Sequence, residues 1–130
     1  MWRPVVPLMV FGLSNRVTLT GILDTGSAET LLPVFLVEKI QPAFVAGESS
    51  LLQGPDGTLF PVKYGTVDLG IRLKRKTHRW YAKVGFQEGR EEALLGHTGF
   101  LQFFAVTFNG PERFATLRPG RAFPRAIMPT

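Results

Sequence analysis

Hydrophobic and polar residues alternate along much of this chain with a period of two, the spacing of strands that bury one face. The clearest run sets Val67, Leu69, Ile71 and Leu73 against Asp68, Gly70, Arg72 and Lys74. After a basic turn at Arg75-Lys76-Thr77 the period returns in Trp80, Ala82, Val84 and Phe86, which predicts a hairpin. Upstream, Val17, Leu19 and Leu23 share one parity and Thr18, Thr20 and Ile22 the other. Val5 to Leu13 is apolar and follows Arg3, the outline of a signal peptide. Pro4 and Pro7 interrupt it, no small-residue cleavage site follows, and Ser14-Asn15-Arg16 reads as a turn, so this segment too is read as a strand. Gly54-Pro55-Asp56-Gly57 is strong turn chemistry between Leu51-Leu52 and Leu59-Phe60, and predicts a second hairpin with a movable tip.

Helix is scarce. Pro33 suits the first turn of a short helix over Val34 to Ile40, stopped by Pro42, and a second short helix is expected from about Thr98 to Phe104. Phe103, Ala105, Val106 and Phe108 return to strand spacing before Asn109-Gly110-Pro111. Phe114 to Leu117 predicts one more strand, and Gly120 to Thr130 reads as a tail. There is no internal repeat.

Composition narrows the class. In 130 residues, 45% are apolar and eleven are Phe, which fits one folded domain with a real core. The absence of cysteine excludes a disulfide framework and thiolate metal sites, and it agrees with a reducing, cytoplasmic setting. No apolar run reaches the roughly 18 residues of a membrane span. The net charge of +5 raises the question of nucleic acid, but the basic residues are scattered. One cluster lies at Arg72 to Lys76 and a looser group at Arg113, Arg118, Arg121 and Arg125, neither interleaved with stacking aromatics. They are read as a solvated hairpin tip and a basic tail, with no specific nucleic-acid site. A basic nucleic-acid-binding β-barrel stays open as a minor reading, and salt-dependent binding would be its mark.

The candidate chemistry is in Ile22-Leu23-Asp24-Thr25-Gly26-Ser27, an apolar strand running into an acid that a turn then holds. Asp24 has two readings. It caps a turn, accepting backbone N–H bonds while Gly26 supplies conformational freedom, or it is a catalytic acid. The surroundings weigh toward the second: Leu31-Leu32-Pro33 follows, and Leu94-Leu95-Gly96 lies 72 positions downstream, counting Asp24 to Gly96.

Order and spacing together resemble the retropepsin family, the single-domain aspartic proteases of retroviruses and their bacterial relatives. The residues that carry the resemblance are Gly21 to Pro33, a flap-like hairpin around Gly54 to Gly57, Ala93-Leu94-Leu95-Gly96-His97-Thr98-Gly99-Phe100-Leu101, and the closing Phe104-Ala105-Val106-Thr107-Phe108. The resemblance spans about residues 3 to 118, so the chain divides into a retropepsin-like domain, 1–118, and a basic Pro/Arg-containing tail, 119–130. It implies an all-β fold, a closed β-barrel with a flap hairpin and one or two short helices. It implies an aspartic endopeptidase in which Asp24 is catalytic and is contributed once by each protomer of a homodimer. Thr25, Gly26 and Ser27 would support the active-site loop, and a Ser27 hydroxyl bond to the Asp24 carboxylate is expected. Gly26, Ala28, Glu29, Gly54, Pro55, Asp56 and Gly57 would meet a peptide or protein substrate, and Leu94, Leu95 and Gly96 would brace the loop from behind. The family needs no metal or organic cofactor.

Two departures stand out. His97 occupies the place of an arginine that pairs with an acid just after the catalytic loop, with Glu29 as a candidate acid here or the histidine part-buried and neutral. The flap tip carries Pro55 and Asp56 where viral flaps are glycine-rich and apolar. Trp2 and Trp80 are read as packing residues. A catalytically weak dimerisation or peptide-binding module on the same fold is the alternative function.

Overall fold

Strand β1 (Val5–Phe11) turns at Ser14 and Asn15, where the Gly12 N–H donates to the Asn15 carbonyl, and runs back antiparallel as β2 (Arg16–Leu23). In this computed structural model residues 3–41, 43–53 and 56–124 are described; Trp2, Pro42, Gly54, Pro55 and Arg125 lie outside them. The chain continues through β3 (Leu31–Pro33), helix α1 (Leu36–Ile40), β4 (Ala43–Gln53), β5 (Leu59–Leu73), β6 (Lys76–Gln87) and β7 (Ala93–Leu95). A short 3₁₀ turn at Leu101–Phe103 then leads into a hairpin of β8 (Phe104–Asn109) and β9 (Phe114–Pro119).

Six strands close a barrel in the order β1, β2, β7, β3, β6, β5, and the ring is completed where β5 returns to β1 with Met9 opposite Gly70 and Phe11 opposite Asp68. Among the described residues β4 pairs only with β5, and β8–β9 forms a separate two-stranded sheet. Closure at this point depends on Gly70, because a Cβ there would come within 2.7 Å of the Phe11 ring. The interior takes one parity from β1, β5, β6 and β7: Leu8 and Val10, Leu69 and Ile71, Trp80 and Val84, Leu95. This is the alternation read from the sequence. At one end of the barrel Trp80 meets Phe100, Phe104 and Phe123 with ring centroids 5.1 to 5.9 Å apart, and its indole N–H donates to the Gly99 carbonyl at 2.7 Å. Both the aromatic bulk and the polar edge of Trp80 are thereby satisfied. Phe123 lies beyond the last strand, so the start of the basic tail packs on this core.

Three local expectations are corrected. Pro33 ends a strand instead of opening a helix, because Leu31 and Leu32 are drawn into the sheet beside Gly85 and Phe86. The helix therefore starts at Leu36. The helix expected over Thr98 to Phe104 shrinks to the 3₁₀ turn, since Gly99 takes φ +95° and Phe100 sits outside helical geometry at φ −137°. The basic turn occupies Lys74 and Arg75 alone, with Leu73 paired directly to Lys76, so Lys76 and Thr77 are already strand.

Candidate active site

Asp24 is the first residue after β2, and its position follows from pairing on both sides of that strand. β2 is antiparallel to β1 and parallel to β7, whose residues Leu94 and Leu95 lie beside Ile22 and Leu23. The Asp24 N–H donates to the Leu95 carbonyl at 3.1 Å. The loop then folds back on itself: the Gly26 N–H donates to Asp24 Oδ1 at 2.9 Å, and the Ser27 N–H to the Asp24 carbonyl at 3.2 Å. One carboxylate oxygen is held by the backbone, and the side chain opens into a cleft of about 980 Å³.

Behind the loop lies the segment after β7. His97 and Thr98 donate backbone N–H bonds to the Ser27 and Ala28 carbonyls, both at 3.0 Å, and Thr30 returns one to Thr98 at 3.1 Å. Contact is so close that a Cβ on Gly96 would stand 2.1 Å from the Glu29 carbonyl oxygen. Thr30 is fully buried; its hydroxyl accepts from the Gly96 N–H at 3.3 Å and its carbonyl from the Gly85 N–H at 2.9 Å. Two distant segments thus lock into one backbone network beneath Asp24.

The structure brings Gly26, Ser27, Ala28, Glu29 and Leu94 to the cleft with Asp24. Thr25 is exposed beside it, and Leu95 and Gly96 are buried behind it. From the flap-like hairpin, Gln53 and Phe60 line the cleft, whereas Asp56 and Gly57 do not. Asp56 closes its own turn by accepting from the Thr58 N–H at 2.9 Å, a bond that holds its carboxyl below the usual value, and Gly57 takes φ +86°. Two expected contacts are replaced. The Ser27 hydroxyl donates to the Glu29 carbonyl at 2.7 Å, so its single proton is not directed at the Asp24 carboxylate. Glu29 does not pair with His97: its carboxylate accepts from the Tyr64 hydroxyl at 2.8 and 3.0 Å, and His97 is exposed, not the part-buried histidine of the other reading.

Sequence reading missed the loop between β6 and β7. Gln87 through Glu92 forms one wall of the cleft, and Arg3 pairs with Glu92 across it at 3.3 Å. Arg90 donates from Nε to the Gln87 side chain at 3.0 Å. Burial lowers the pKa of its guanidinium, opposed by the neighbouring charges of Glu92 and Asp24. The run Glu88-Gly89-Arg90-Glu91-Glu92, directly before Ala93-Leu94-Leu95-Gly96, was the available signal.

No protein-family model matches the chain, and no curated protein matches it by sequence. Solved structures do match. The retroviral protease-like domain of Ddi1 from Leishmania major superposes with a TM-score of 0.55 at 9% identity, over 90% of this chain and 89% of that one. EIAV protease complexed with the inhibitor HBY-793 gives 0.47 at 16% identity, over 73% and 82%. A retropepsin-like aspartic protease from Rickettsia conorii gives 0.45 at 12% identity, over 83% and 82%. A closed six-stranded barrel that superposes on the Ddi1 domain along nine-tenths of both chains has the retropepsin-like fold.

Proposed function

We propose that this chain is an aspartic endopeptidase that works as a homodimer. The observation that carries the reading is the position of Asp24, at the end of a barrel strand, fixed by the Gly26 N–H and open to a peptide-sized cleft. The chain's other two aspartates are committed elsewhere: Asp68 is paired with Arg79 and Asp56 caps its own turn. A pair of aspartates would therefore take its second member from another copy of the chain, across a two-fold axis.

The chemistry follows from electrostatics. Two carboxyl groups about 3 Å apart do not both ionise, so the pair holds one proton near working pH. The ionised member takes a proton from a bound water as that water attacks the peptide carbonyl. The protonated member donates to the carbonyl oxygen as charge develops on it. The β4–β5 hairpin, with Gln53 and Phe60 already on the cleft, is the element that closes over an extended substrate and excludes bulk water.

Asp24→Asn keeps the shape of the side chain and an acceptor for the Gly26 N–H but removes the base. Its expected result is loss of peptide cleavage with an unchanged circular dichroism spectrum. Cleavage of an unbiased peptide library at the wild-type rate by this variant would overturn the proteolytic reading. Binding of peptides by a wild type that cuts none of them would leave the module as the function.

A further inference from the structure

On a chain of net charge +5, the cleft is acidic. Asp24, Glu29, Glu88, Glu91 and Glu92 line it against Arg3 and Arg90, a formal balance of −3 (five acids, two bases). The two bases are already engaged. Arg3 is paired with Glu92, and Arg90 is bonded to Gln87 within the fields of Glu92 and Asp24.

Glu29 is different in kind. Its partner is a neutral hydroxyl: Tyr64, 8% exposed, offers one proton to both carboxylate oxygens. Among the described residues no cationic side chain lies within 4 Å of it. Lys83 Nζ faces the Tyr64 ring instead, 5.4 Å from its centroid. A carboxylate has about four acceptor positions, so one tyrosine proton orients the group and leaves most of its capacity and all of its charge. Beneath it Leu31, Val62, Tyr64 and Leu94 pack as a small apolar cluster, and Leu31 and Leu94 reach the cleft. An aligned carboxylate above an apolar floor suits a side chain with an alkyl stem and a cationic head.

We infer that Glu29, oriented by Tyr64, is a specificity-determining residue that selects a lysine or arginine side chain of the peptide substrate. This rests on the cleft being the substrate groove proposed above. The remaining acids of the cleft wall reinforce the choice by attracting cationic peptides.

The test uses the full chain and pools of otherwise randomised octapeptides with lysine, or its uncharged analogue norleucine, fixed at each position in turn. Cleavage rates are read for wild type and Glu29→Gln, which keeps the Tyr64 bond and removes the charge. Anisotropy of labelled pools on the Asp24→Asn protein, with and without Glu29→Gln, reads selectivity independently of turnover. The wild type is expected to prefer lysine at one position, and Glu29→Gln to reduce the lysine-to-norleucine ratio there by on the order of tenfold in both readouts. Tyr64→Phe, which frees the carboxylate to swing, should reduce the same ratio by less. A ratio unchanged by Glu29→Gln, or no lysine preference at any position, overturns the inference while leaving proteolysis intact. Absence of cleavage in every pool overturns proteolysis, and the binding ratio then still decides the role of Glu29.

Discussion

Gly96 shows how much of this site depends on an atom that is not there. Its missing Cβ lets the Glu29 and Ser27 carbonyls come close enough to receive the segment after β7, and the obstacle to any side chain is rigid backbone. Gly96→Ala is expected to destabilise the protein by roughly 3 kcal/mol, the upper range for overpacking a site that cannot yield. Chemical denaturation would read this, and a change within 0.5 kcal/mol would mean that the two segments can separate at little cost. Asp24 itself was legible because its tripeptide sits at the end of an apolar run. The Glu29–Tyr64 bond was not, since it joins a loop residue to one on β5, 35 positions away, and neither residue type is unusual where it stands. Ser27 was read in the right place with the wrong partner: its hydroxyl reaches the Glu29 carbonyl, two residues along its own loop.

At the scale of elements, period-two patterning located β5 and β6 because both strands bury one side against the barrel core and leave the other in solvent. It failed for β3, whose three residues are all buried and so show no alternation; there the proline prevailed as a helix signal. It also misplaced the β5–β6 turn, because a basic tripeptide marks a turn without fixing its register. Lys74 and Arg75 both adopt positive φ, 48° and 67°, the geometry of a two-residue loop that asparagine and glycine occupy with less strain. Replacing the pair by Asn-Gly (Lys74→Asn with Arg75→Gly) should stabilise the protein by about 1 kcal/mol in urea unfolding. A loss of stability would mean that charge at the tip, and not backbone geometry, sets the energy of that turn.

For the whole molecule, the same hairpin separates charge. Arg72, Lys74, Arg75 and Lys76 crowd its tip, while Gln87 and Glu88 at the far end of β6 belong to the acidic cleft. Twelve strand residues at about 3.3 Å each set the two poles roughly 40 Å apart along the strand. If two copies meet with their Asp24 loops together, they bring acidic clefts toward one another. Among the described residues, the β8–β9 sheet pairs with no other strand and exposes Phe108 and Phe114 at 41% and 50%, an apolar face suited to the opposing attraction. Specific activity is therefore expected to fall on dilution, with the midpoint moving to lower protein concentration as salt screens the acids. Activity independent of concentration in a species that sedimentation shows to be monomeric would rule the dimer out. No helix among the described residues is long and apolar enough to cross a membrane.

The parallel pairing of β2 with β7 also sets a timetable. The amide of Asp24 has its acceptor at Leu95, 71 positions later in the chain (Asp24 to Leu95), and the Ser27 and Ala28 carbonyls wait for His97 and Thr98. At the usual pace of synthesis, about 5 to 20 residues per second, the acid is made roughly 4 to 14 seconds before the segment that holds its loop in place. During that interval the nascent chain has a carboxylate and no site. The backbone groups that hold the loop arrive only once β1 to β6 have been made and β7 has followed them.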